Sequence, residues 1–172
     1  MRRGIFLGML AASFLVVLIT ADSARCSGSR PEAQRRSRFQ WPEGVRAAVS
    51  LTFDDARSSQ VDVGMPIFKR YGLKATFYVS PENVEERLEG WKKALAEGHE
   101  VGNHTLTHPC TGNYPAFRGR ALEEMTLGRM ADEIDQASAA IFHLLGVRPK
   151  SFAYPCGQTF VGRGRRVASF VP

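Results

Sequence analysis

The sequence predicts an α/β fold built on a parallel sheet, open or closed into a barrel. Two observations carry this expectation. Short apolar runs with strand character alternate with longer helical patterns between residues 47 and 154. The chemically unusual residues fall where those runs end, and parallel α/β folds gather functional groups at the carboxyl ends of their strands.

Taken in order, Met1-Arg2-Arg3 precedes an uncharged apolar run from Gly4 to Ala21, followed by small residues at Ser23 and Ala24. Residues 1–24 read as a secretory signal peptide or, uncleaved, as an N-terminal membrane anchor. Either reading places the body outside the cytoplasm: secreted, periplasmic or held at the membrane through this segment alone. Residues 25–44 are rich in Arg, Ser, Gln and Gly and read as a flexible basic linker. Ala47–Phe53 is apolar and short enough for a buried strand. From Ser58 to Tyr71, Val61, Met65, Phe68 and Tyr71 share a helix face, and Gly72 supplies the stop. Leu73–Val79 reads as a second strand, Pro81–Leu95 as a second helix and Glu100–Asn103 as a third strand. A loop with Gly112, Pro115 and Gly119 follows. Leu122, Met125, Met130, Ile134, Ile141 and Leu145 mark a long amphipathic helix closed by Gly146. Phe152–Tyr154 reads as a fourth strand.

Composition removes several function classes. The net charge of +6 comes mostly from residues 1–40, which hold seven basic and two acidic side chains; residues 41–172 hold sixteen and fifteen. The body is nearly neutral, so no nucleic-acid partner is expected. Of the three cysteines, Cys26, Cys110 and Cys156, no two form a CxxC pair, and no glycine-rich phosphate loop occurs.

Two constellations point to chemistry. His104 and His108 stand four positions apart in Asn103-His104-Thr105-Leu106-Thr107-His108, a spacing that delivers two imidazoles to one metal ion from a single turn. Pro109 ends any regular helix there, so the pair belongs to a turn after a strand. Asp54 and Asp55 close the first strand. Two adjacent carboxylates at a strand tip need a compensating partner, and a divalent cation is one. One aspartate can complete an Asp-His-His set with positions left for water and substrate, and the other can transfer a proton. Asp54 could instead cap the following helix. The reaction class that fits is metal-assisted hydrolysis of an acyl group.

Thr52-Phe53-Asp54-Asp55, His104-Thr105-Leu106-Thr107-His108 and Phe152-Ala153-Tyr154-Pro155-Cys156-Gly157 together resemble the polysaccharide deacetylases with a NodB-homology domain, carbohydrate esterase family 4. Gly72–Val79 also resembles that family's second strand. The resemblance implies a distorted (β/α) barrel and removal of acetyl groups from an N-acetylated polysaccharide. It implies Asp54 as catalytic base, with Asp55, His104 and His108 as ligands of a divalent metal, usually Zn2+. Tyr154 and Pro155, in the third motif, are the expected substrate-binding residues. Trp41, Tyr114 and Phe117 are further aromatics able to stack on a sugar, or to serve as core and loop anchors. The third motif carries Ala153 where family members often have an arginine that orients the base; Arg148 is one candidate substitute. No histidine follows His143, and the family's late histidine motif is missing, so residues 45–172 read as a partial NodB-homology domain, incomplete at the C-terminus. An alternative function is therefore a non-catalytic fragment that keeps the metal- and glycan-binding half. His143, within the long helix, and His99, read as an ordinary strand-edge residue, are given no role in the site. If both motifs line one rim, Cys110 and Cys156 are neighbours; a disulfide or two free thiols are then the options, and export favours thiol oxidation over metal ligation. Oligomeric state is not legible.

Overall fold

In the computed structural model, residues 40–171 are described; the segment read as a leader (1–24) and most of that read as a linker (25–44) lie outside them. Three short strands, β1 (Thr52–Asp54), β2 (Thr76–Val79) and β3 (Glu100–Asn103), form one parallel sheet in sequence order. Phe53 stands opposite Phe77, and Phe77 opposite Val101. A single parallel bridge between Asn103 and Phe152 extends that order by one position, where the fourth strand is expected. Helices α1 (Met65–Tyr71), α2 (Pro81–Glu85), α3 (Leu88–Ala96) and α4 (Leu127–Leu145) occupy the crossovers. Strands pairing with their sequence neighbours through helical crossovers make part of a (β/α) barrel wall.

The core follows from strand alternation. Phe77 and Val79 point inward from β2 and are fully buried, as are Trp91 of α3 and Ile141 of α4. Phe77 stacks on Phe53 and meets Trp91 edge-on, each at 5.4 Å between centroids. A second cluster gathers Leu122, Met125, Met130 and Val161. Gly102 is a steric requirement, since a Cβ there would lie 2.5 Å from the Tyr78 ring and 2.8 Å from Ser151 Oγ.

Element boundaries depart from the sequence expectations for local reasons. Residues 47–50 are exposed rather than strand, with Val49 86% accessible; β1 pairs only with β2 among the described residues. The helix expected over 58–71 is a π-turn (Gln60–Gly64) followed by α1. Pro66, in the first turn of α1, has no N–H to continue the earlier ladder. The helix expected over 81–95 breaks at Arg87 (φ −137°, ψ 42°), whose guanidinium bonds Asp62 and the Glu86 carbonyl. The long helix begins only at Leu127, because extended Thr126 caps it by accepting the Arg129 N–H at 3.2 Å. A hairpin of β4 (Phe160–Val161) and β5 (Ala168–Ser169) was not legible in the pattern. His99 is no edge residue. It is 5% exposed, packs against Phe68 and Phe77, and its Nδ1 accepts the Ala75 N–H at 3.2 Å.

Candidate metal centre

Asp54 ends β1, while Asp55 and the two histidines are delivered by loops with unusual backbone. After β1 the chain turns left-handed at Asp55 (φ 75°) and Ala56 (φ 53°). Ala56 is buried in the main core cluster and anchors the turn from inside. From outside, Gln60 Nε2 donates to the Asp54 carbonyl at 2.6 Å and Asn83 Nδ2 to the Asp55 carbonyl at 2.7 Å. After β3, Asn103 Oδ1 accepts the Thr105 N–H at 2.7 Å while its Nδ2 reaches Ile134 O and Ser138 Oγ of α4. Thr105 (φ 66°) and His108 (φ 52°) are again left-handed, and Thr105 Oγ1 accepts the His108 N–H. Glu133 of α4 closes the clamp: its carboxylate, on a residue only 8% exposed, accepts the Thr107 N–H at 2.8 Å and the Thr107 hydroxyl at 2.9 Å. Among the described residues, the five non-glycine residues with positive φ are Asp55, Ala56, Thr105, His108 and Cys156, all in these loops or the third motif. Such conformations cost free energy and persist where surrounding contacts impose them.

The side chains converge. Asp55 Oδ1 lies 3.3 Å from His108 Nε2 and 3.6 Å from His104 Nε2. Asp55 Oδ2 points the other way and accepts Arg57 at 3.0 Å. His104 is 1% exposed, and its Nδ1 lies 3.0 Å from the Ala153 carbonyl, so Nδ1 carries the proton and the Nε2 lone pair faces the carboxylate. Burial, and then the neighbouring His104, hold the His108 imidazole below its ordinary value, against the opposing pull of Asp55; the ring is neutral near pH 7, as a ligand must be. Two ligand bonds of about 2.1 Å at a tetrahedral angle put ligand atoms about 3.4 Å apart. The separations of 3.3 and 3.6 Å match that figure, so the Asp55-His104-His108 set fits a divalent cation.

The remaining expected residues land unequally. Asp54 is exposed at the end of β1, and its carboxylate accepts no hydrogen bond among the described residues. Its charge nonetheless acts on His108. Arg148 does not support it, because its guanidinium lies over the Phe142 ring at 4.7 Å. Pro155 is fully buried and offers no surface to a glycan, so its part is to shape the loop. Tyr154 is half-buried between Phe152 and Phe170. Phe117, which sequence reasoning left undistinguished, instead lines an open cleft of about 400 Å³ with Asp55, His108, Asn83, Thr107 and Arg120. Its ring centroid is 6.1 Å from that of His108. Cys110 and Cys156 are joined by a disulfide, Cα to Cα 6.0 Å, which ties the histidine turn to the third motif. Glu133, Asn103 and Asn83 were missed altogether. The signal for Glu133 was present: an acid on the inward stripe of α4, between Met130 and Ala137, demands a polar partner.

An Asp-His-His set at the carboxyl end of a parallel sheet defines a class: α/β proteins with a site suited to a cation and an open cleft beside it. Comparison with known proteins narrows it. Residues 43–168 match the family described as polysaccharide deacetylase. A peptidoglycan-N-acetylglucosamine deacetylase of Bacillus cereus is 31% identical over 121 residues, 70% of this chain and 40% of that protein. Peptidoglycan-N-acetylglucosamine deacetylase PgdA of Listeria monocytogenes is 32% identical over 110 residues, 63% of this chain and 21% of that protein. Among solved structures, peptidoglycan deacetylase PdaC of Bacillus subtilis superposes with a TM-score of 0.52 at 27% identity, covering 67% of this chain and 50% of that one. A family 4 carbohydrate esterase from Streptomyces lividans, in complex with acetate, gives 0.53 at 27% identity, covering 64% and 52%. The chain belongs to the polysaccharide deacetylase family, and its α/β architecture is part of that family's NodB-type barrel. It spans about half the length of these structures and less than half of these curated relatives.

Proposed function

We propose that this chain acts in metal-dependent N-deacetylation of an exported-compartment polysaccharide, releasing acetate and leaving a free amine on the sugar. One observation carries the reading: a single carboxylate oxygen, Asp55 Oδ1, faces the Nε2 atoms of two imidazoles at 3.3 and 3.6 Å beside an open cleft. The relatives are named for acetylated cell-wall glycan, which supports an N-acetylglucosamine-type substrate. Asp55, His104 and His108 would hold the cation, with Zn2+ the best match to two nitrogens and one oxygen. Such a cation would polarise the acyl carbonyl and make a water molecule more acidic. Asp54, the last residue of the strand and free of hydrogen bonds at its carboxylate, would take the proton from the attacking water. The Ala153 carbonyl holds His104 in the ligating tautomer. Phe117 offers an apolar face for a pyranose ring in the cleft. The basic, then apolar, N-terminal segment supports export, with anchoring if it is uncleaved.

The test is acetate release from N-acetylglucosamine oligomers by the full chain, stripped of metal and reconstituted with Zn2+ or Co2+. Asp54→Asn is expected to lower the rate by about 10²- to 10⁴-fold, the range for loss of a general base. Equal release by the wild type and Asp54→Asn would remove Asp54 as the base, and no metal-dependent release by the wild type would overturn the reading.

A further inference from the structure

His108 faces two ways. Its Nε2 looks toward Asp55 and His104, while its Nδ1 lies 3.8 Å from Cys110 Sγ. Ligand atoms of His108, Cys110 and Cys156 all fall within 4.8 Å of one another, as do those of Asp55, His104 and His108. The two triads share one imidazole and use its opposite nitrogens. A neutral imidazole has a lone pair on only one nitrogen at a time. While the disulfide is closed, the two sulfurs cannot act as thiolate ligands, and Nε2 is the nitrogen that faces Asp55.

We propose that reduction of Cys110–Cys156 creates a second, thiolate-rich zinc site on His108, Cys110 and Cys156, which competes with the Asp55-His104-His108 set by taking His108 from it. The exchange, though not the new site itself, rests on the reading of the first set as a metal site. Cys156 is exposed and Cys110 is fully buried, so an external dithiol reaches the Cys156 sulfur. Its thiolate forms a mixed disulfide with Cys156 and expels Cys110 as the leaving thiolate beside His108. The second thiol of the reductant then resolves the mixed disulfide, leaving two cysteine thiols and one oxidised reductant. Zn2+ displaces the two thiol protons and takes Nδ1 of His108 as its third ligand, with water in the fourth position, a Cys₂His arrangement. The ring proton moves to Nε2, where Asp55 Oδ1 can accept it. Thiolate donors favour Zn2+ over a carboxylate and imidazole set of equal number. The closed disulfide therefore keeps His108 available to the first site, and reduction withdraws it.

Cobalt(II) reports this without any assay of turnover, since thiolate ligation adds a near-ultraviolet charge-transfer band to its spectrum. The full chain, oxidised or reduced by a phosphine that is then removed under nitrogen, is titrated with Co2+. The reduced chain is expected to show the band saturating stoichiometrically, and the oxidised chain to lack it. Cys156→Ser and His108→Asn weaken it, whereas exposed His143→Asn does not. His104→Asn, which cripples the first site, leaves the band of the reduced chain intact, so failure of the deacetylase reading and failure of this one are separable. Absence of the band on reduction, a band indifferent to His108→Asn, or loss of the native circular dichroism on reduction with cobalt present would each overturn the proposal.

Discussion

One peptide bond separates Asp54 from Asp55, yet their surroundings differ. Asp55 is partly buried, with one oxygen toward two imidazoles and the other on Arg57; Asp54 is open to solvent. The left-handed turn at Asp55 (φ 75°), directly after the strand ends at Asp54, produces that split. Asp55→Asn is expected to keep the shape and remove the charge that would hold a cation, lowering metal affinity at least about tenfold; isothermal titration with Zn2+ checks it. Arg57→Ala is the contrast. Its side chain is 72% exposed, so the pair contributes little and metal affinity is expected to change less than about fivefold. That Asp55, His104 and His108 converge was legible in the chain because carboxylates and imidazoles at strand ends have few other uses. The groups that aim them were not. The Ala153 carbonyl and the Asn83 amide act through space, from elements whose approach no local pattern encodes.

Helix α4 does more than cover the sheet. Through Glu133 it grips Thr107, and through the Ile134 carbonyl and Ser138 it grips Asn103, so one helix fixes both ends of the segment that bears the histidines. Glu133→Ala leaves the Thr107 N–H and hydroxyl without their acceptor. The expected cost is about 1–3 kcal/mol in urea denaturation, and about 10- to 100-fold in Zn2+ affinity, as for other groups that orient ligands. Glu133→Gln keeps one acceptor oxygen and is expected to fall between. Unchanged affinity in Glu133→Ala would show that the turn holds itself. The existence and order of the helices could be read from apolar periodicity, whereas their ends could not. Pro66, Arg87 and Thr126 set those ends through a missing donor, a side-chain tether and a cap.

Taken together, the sheet, the disulfide and the buried His99 give the molecule a defined response to its medium. Burial, helped by Lys74, holds His99 below the ordinary imidazole value of 6.5, so the unfolded chain binds that proton more readily. The stability His99 contributes is complete above 6.5 and is lost as pH falls through the lower folded value. His108 acts in the same direction in the metal-free chain. Thermal midpoints are expected to drop on acidification below 6.5, and His99→Gln to flatten that drop. The disulfide closes a 46-residue separation, which the chain-entropy account values at about 4 kcal/mol. Reduction without metal should therefore lower the urea midpoint markedly. A buried histidine between strands is invisible to sequence patterning, because the signals for an edge and for an interior differ only in what the fold places beside it.

Left-handed backbone at Asp55, Ala56, Thr105, His108 and Cys156 has an evolutionary corollary. Glycine adopts that conformation without penalty. At Ala56, Thr105 and Cys156 the side chain is held by the core, a hydrogen bond and the disulfide, so glycine would weaken the fold; at Asp55 and His108 the fold would gain robustness by discarding the side chains proposed to hold the cation. A library screened for heat resistance alone should drift to glycine at Asp55 and His108 first, and the survivors would be hardier proteins with nothing left to do.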